Sequence, residues 1–335
     1  MARSSTILTT VRLSTESALG VVRASPSWLW PWITAENIVP ARAMIQPRHL
    51  TADRFLRLPI AGEESAAGTI ACIVGPQNFD KLWYGIFANL ATSNITDGVT
   101  TQYQFKLATS QPTFVMDINK GYSEVRCDGG FIRSADFSVD RNSFLNASLD
   151  MQFQRQHVLG AAGSIGSPSL SVLDAFTDLN GTMERDDGLV TDMDGFSLRV
   201  NCAPLDFKSF GSQYVSDVLF GKADISWELA CAFADDTEFR RFMGNKSGSG
   251  AQSSGNRYQT VKLEWFFQTG QNAQTNFPYE LSITAYGAIY DTFPHGIASD
   301  SEILRTRPVA VVRYDVSAGT DLQVNLTNQT TNVDY

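Results

Sequence analysis

The chain has 335 residues, enough for two domains of ordinary size, and its 26 Lys/Arg against 35 Asp/Glu leave a net charge of −9, which argues against broad adsorption to nucleic-acid phosphates. With 43% hydrophobic and 18% charged residues, it carries the apolar material for substantial cores and cannot be a disordered chain. The charge is uneven: residues 1–160 hold 14 Lys/Arg and 13 Asp/Glu, a net of +1, whereas residues 161–335 hold 12 and 22, a net of −10.

In chain order, the N-terminal stretch mixes polar and small residues without the apolar run of a secretion signal, and no stretch reaches the roughly 18 consecutive apolar residues of a membrane helix, so neither is expected. Pro76–Leu90 places Phe79, Leu82, Trp83, Ile86, Phe87 and Leu90 on one face at helical spacing, with a proline in the first turn, and predicts an amphipathic helix. Thr113–Ile118 and Leu145–Phe153 read as strands. Gly160–Pro168 is rich in small residues and suits a linker. Phe196–Cys202 alternates apolar and polar side chains, and Asp235–Met243 predicts a second, shorter helix with acids at its start and Gly244 past its end. Val261–Phe267, Glu280–Tyr286 and Val309–Tyr314 are further strands. The class is mainly β, with one helix in each half.

The two helices expose an internal repeat. Gly68–Cys72 leads to the helix opening on Phe79 and Ile225–Cys231 to the one opening on Phe239, at cysteine-to-phenylalanine intervals of 7 and 8 residues. Pro112 to Gly130 and Pro278 to Gly296 both span 18 residues, an offset of 166. The expectation is a tandem duplication with domains at 1–165 and 166–335.

Little points to chemistry. The four cysteines are isolated, without the paired spacing of a zinc or redox site, and His49, His157 and His295 each stand alone. Neither a nucleophile elbow nor a phosphate loop is present; Gly244–Gly250 contains Lys246 but follows a helix instead of preceding one. The Gly/Ser-rich stretch with Gly244, Lys246, Gly248, Gly250 and Gly255 is a candidate inter-subunit loop. Asp174, Asp178, Glu184, Asp186, Asp187, Asp192 and Asp194 crowd one segment beside the single Arg185, read as a solvated acidic hairpin or a functional acidic surface. No catalytic residue, cofactor or metal is expected.

Several stretches resemble the major tail tube protein of long-tailed (siphovirus-type) bacteriophages: the opening Gly20–Trp28, the strand pair Gly129–Val139 and Leu145–Phe153, and, in the second half, Asp194–Val200 with the strand before Asp235–Phe242. The resemblance implies tandem tail-tube-type β-sandwich domains, each with one helix, closing into rings whose stacking makes a hollow, β-lined tube. It implies a virion structural protein, made in the host cytoplasm, with itself, tape-measure, terminator and distal tail proteins as partners, and with double-stranded DNA passing through the bore. A chain carrying the fold twice would form trimeric, pseudo-sixfold rings, and the acids listed above would face the bore or another surface. A tail terminator, baseplate hub or Hcp-like tube is the neighbouring alternative, and a β-sandwich carbohydrate-active protein a more distant one.

Overall fold

The computed structural model describes residues 10–45, 60–94, 100–160, 165–166, 168, 174–191, 193–232, 237–243, 260–274, 277–293 and 305–329. The first half contributes β1 (Thr10–Ala18), β2 (Val21–Val22), β3 (Trp32–Glu36), β4 (Val39–Ile45), β5 (Ile60–Ile73), α1 (Asp80–Phe87), β6 (Ala88–Asn94), β7 (Thr101–Leu107), β8 (Phe114–Asn119), β9 (Glu124–Asp140), β10 (Asn146–Phe153) and β11 (Arg155–Gly160). The second contributes β12 (Gly181–Arg185), β13 (Gly188–Val190), β14 (Met193–Asn201), β15 (Pro204–Phe207), β16 (Asp217–Phe220), β17 (Asp224–Ala232), α2 (Thr237–Phe242), β18 (Val261–Gln274), β19 (Phe277–Thr292), β20 (Arg305–Thr306), β21 (Val309–Arg313) and β22 (Leu322–Asn328). The mainly-β expectation holds, and every strand read from alternation is present.

The first helix is shorter than expected, and Asp235 and Asp236, the expected start of the second, lie outside the described residues. Asn78 holds a tight turn, accepting from the Gly75 N–H and donating to the Ile73 carbonyl, so α1 starts only at Asp80. It stops when Ala88 enters the left-handed region at φ 63°, the backbone of a helix C-cap, after which Leu90 belongs to a strand. Within α1, Gly85 allows close approach: a Cβ there would lie 2.4 Å from the Phe114 ring. Trp83 stacks on Phe137 with centroids 4.6 Å apart, fixing the helix over the inner face of β9.

Long strands change partners along their length. The first part of β9 pairs with β8 and β11, and its last part, Ser134–Asp140, lies between β10 and β14. Likewise β19 pairs first with β22 and later with β21, with β18 alongside as far as Ala288. One order of pairing thus occurs twice. In the first half β1 pairs with β8, β3 with β5, β5 with β10, and β9 with β8, β10 and β11, with α1 following β5. In the second half β12 pairs with β18, β14 with β17, β17 with β21, and β19 with β18, β21 and β22, with α2 following β17.

The offset of 166 does not describe this correspondence. Pro112 precedes β8, whereas Pro278 lies inside β19, the counterpart of β9, and Gly296 lies outside the described residues. Insertions differ between the halves, so pairing order persists where residue spacing does not.

Two ladders join the halves, β9 with β14 and β7 with β22, and their apolar sides form one buried cluster. The connection between them is anchored: Ile165 is 1% exposed, its N–H donates to Glu124 and its carbonyl accepts from Arg12.

Candidate functional site

The long ladder β5–β10–β9–β14–β17–β21–β19 has two unlike faces. Strand alternation sends Leu149, Ala135, Phe137, Leu198, Val200, Trp227 and Ala310 into the core. The intervening residues, including Ser148, Ser138, Asn201 and Arg313, point the other way and are exposed. This second face is polar. Asp136, Asp140, Asp150, Asp224, Glu228 and Asp291 stand on it, and three of its arginines are held by carboxylates, Arg133 at 2.7 Å from Asp150, Arg199 at 3.5 Å from Asp136 and Arg307 at 3.3 Å from Glu228, while Arg313 stands exposed on the same face. The ladder pairing sets these side chains in a regular polar array across the sheet.

Behind the opposite layer lies a buried charge cluster. Asp117 is fully buried and accepts from Arg12 at 2.8 Å and from Arg126 at 2.7 Å, while Arg12 lies over the Trp28 ring at 4.2 Å. A carboxylate serving two guanidinium groups inside the protein is satisfied on both oxygens, which makes it a structural pin.

The acidic segment does not form one surface. Asp186 and Asp187, at φ 48° and 63°, make the two-residue turn of the β12–β13 hairpin, in which both positions need left-handed backbone. They bind Lys262: its N–H donates to Asp186 at 2.9 Å and its ammonium to Asp187 at 2.8 Å, which holds the Asp187 carboxyl below the usual range. The same ammonium reaches Glu264 at 2.9 Å, directly across the ladder from Glu184. Asp178 and Asp194 sit elsewhere, beside the β9–β10 turn, where Asp178 accepts from the Asn142 N–H and Asp194 lies 3.9 Å from Arg141. Asp174 donates its N–H to Gln271. Asp192, and the loop residues Gly244, Lys246, Gly248, Gly250 and Gly255, lie outside the described residues.

Cys72, Cys127 and Cys202 are buried free thiols, with burial pushing Cys72 and Cys127 up to about 12, so they are inert at neutral pH. Among the described residues no group of three or more His, Cys, Asp or Glu could hold a metal ion, and no helix is long and apolar enough to cross a membrane. Sequence reading missed the polar sheet face, although its signal was present as the polar members of the alternating strands.

The sheet edges matter as much as its face. Where β8 leaves β9 at Gly130, the next stretch of β9 is taken up by β14. Where β18 leaves β19 at Ala288, Ile289–Thr292 has β21 on one side and, among the described residues, no strand on the other. β3, the counterpart of β14, has β5 on one side and, among the described residues, no strand on its other edge.

No curated protein matches the sequence significantly. The family described as phage tail tube protein matches residues 6–303, nearly the whole chain, and the chain therefore belongs to the phage tail tube protein family, structural proteins of the virion tail.

Proposed function

We propose that three copies of this chain close into a pseudo-sixfold ring, that rings stack into a tube, and that the polar sheet face lines a bore conducting double-stranded DNA during ejection. The observation that carries the reading is the seam between β9 and β14. Inside one chain, the end of a β9-type strand pairs with a β14-type strand of the following half. The chain also ends in the same two unlike edges, the end of β19 and the outer edge of β3. Pairing β19 of one copy with β3 of the next repeats the internal seam, and three copies alternate internal and intermolecular seams around a closed sheet. The duplicated tube domain, 1–165 and 166–335, is the unit this repetition supports.

The face suits a conduit. DNA adheres through Lys and Arg that release counterions from phosphates, and three arginines on this face are already engaged by carboxylates. The role is structural and needs no catalytic group. Tape-measure, terminator and distal tail proteins are the partners such a tube meets along its length and at its ends.

Cryo-electron microscopy of assembled protein tests the reading. Three chains per ring, with β19 against the neighbour's β3, is the expected result; six full-length chains per ring overturns the pseudo-sixfold arrangement.

A further inference from the structure

The other layer of the fold has a polar face of its own. Across β7, β22 and β19, Phe105, Val324 and Ile283 turn into the buried cluster, so the residues alternating with them look away from it. One row runs straight across the ladder, from Ala91 of β6 through Gln104 and Asn325 to Ser282, and the next sets Ser93 opposite Gln102. The first polar face carries carboxylates and arginines; at these positions amides and hydroxyls predominate. The short Ala91 and Ser93 leave room beside the longer amides, and a groove of about 370 Å³ lies over Ala91, Ser93, Gln102, Gln104, Gln323 and Asn325.

The amides are tied together. Gln104 and Gln323 each donate an Nε2–H to the Asn325 Oδ1, at 3.4 and 3.0 Å, and the Asn325 Nδ2–H donates to the Ser282 hydroxyl at 3.0 Å. Both lone pairs of the Asn325 oxygen are thus taken, and the orientation of the two glutamines is set. Their own carbonyl oxygens, Oε1, receive no donor among the described residues. That weighs most at Gln323, which lines the groove and is only 8% exposed. An acceptor held that deep costs free energy until a group in the groove donates to it.

This chemistry selects a ligand. A phosphate or carboxylate would meet no cation, because Lys106, across the ladder from Gln323, is outside the lining. An apolar side chain would bury the amides without pairing them. Two fixed acceptors, beside an amide and a hydroxyl that can both give and take, match a neutral molecule dense in hydroxyl groups. We propose that this groove binds an uncharged oligosaccharide, whose hydroxyls donate to the Oε1 atoms of Gln104 and Gln323 and pair with Gln102 and Ser93. The groove is built within one chain, so the proposal stands apart from the ring reading.

Saturation-transfer NMR and calorimetry of the full chain test it, with cellotetraose, maltotetraose and chitotetraose as neutral probes and a sulfated oligosaccharide as the charged comparison. Saturable binding of at least one neutral probe, and none of the sulfated one, is the expected result. Ala91→Leu fills the groove from the exposed surface of β6, and Gln104→Ala removes one acceptor. Each should weaken binding by about tenfold or more, the usual effect of losing a paired hydrogen bond or the space for it. Asn201→Ala, on the first polar face, should bind as the unsubstituted chain does. The bound sugar should also raise the unfolding temperature of the unsubstituted chain and leave that of Ala91→Leu in place, which separates a lost site from a lost fold. No saturable binding of any neutral probe, equal binding by both groove variants, or tighter binding of the sulfated probe overturns the proposal.

Discussion

Gly195 and Val139 meet backbone to backbone where the second half of the chain joins the first. A Cβ on Gly195 would lie 2.5 Å from the Val139 carbonyl oxygen and 3.2 Å from the Asp140 Cα, inside the seam between β14 and β9. The seam closes at its full depth only because this position has no side chain. It is also the pairing that, repeated between chains, would close the ring.

Gly195→Ala should therefore cost about 1–3 kcal/mol, the usual penalty for forcing a side chain into a packed site. Gly270→Ala is the matched control, since a Cβ there meets nothing within 4 Å. Urea unfolding of both variants checks the difference; equal midpoints would mean that the seam relaxes without cost.

Asp117 presents a second test. Its side chain is wholly buried between Arg12 and Arg126, and Arg12 also holds the Ile165 carbonyl. Asp117→Asn keeps the volume but leaves two guanidinium groups without their counter-charge. Breaking a buried pair on one side costs roughly 3–5 kcal/mol. The expected variant is poorly stable, with the segment around Ile165 newly open to limited proteolysis.

Much of this fold was legible in the alternation of polar and apolar residues, because half-buried strands of an antiparallel sheet must show it. Phe196–Cys202 and Val309–Tyr314 fell where the strands lie. The apolar stripe from Phe79 to Leu90 overran its helix because Leu90 is apolar for a strand's reason, and the left-handed Ala88 leaves no periodic signal. The acidic run around Asp186 and Asp187 allowed a solvated hairpin or a functional surface, and the hairpin is what forms at these two residues, but its anchor, Lys262, lies far along the chain and leaves no local signal. The 166-residue offset read from Pro112–Gly130 and Pro278–Gly296 does not match the strand pairing, because Pro112 precedes β8 whereas Pro278 lies inside β19. Which strand edges remain unpaired depends on long-range pairing, which composition and spacing do not encode.

The pH dependence of stability follows from Asp80. It is 2% exposed at the start of α1, and loss of hydration pushes its carboxyl from 3.8 up to about 6, against the pull of the Lys81 N–H and ammonium. A folded-state value above the unfolded one means that folding favours the protonated form. The stability it contributes is complete below about pH 4 and is lost as pH rises through about 6, a change of about 2–3 kcal/mol. Asp80→Asn should flatten the stability curve across that window in denaturant titrations at stepped pH. A slope unchanged in the variant would exclude Asp80 as its source.

The bore carries the sharpest functional expectation. Asp140 and Asp224 are exposed on the polar face of the long sheet, whereas Asp186 and Asp187 turn the β12–β13 hairpin in contact with Lys262. If the face lines the bore, Asp140→Lys with Asp224→Lys adds cations to the DNA path, repeated in every copy around each ring. Tubes of that variant should retain double-stranded DNA with an affinity that falls as salt rises, by about one power of salt concentration per added phosphate contact, and phage carrying it should eject more slowly. Asp186→Lys with Asp187→Lys changes the net charge equally but away from the face, and should leave both DNA retention and ejection as they are. Equal effects of the two double variants would mean that net charge, and not the sheet face, governs passage.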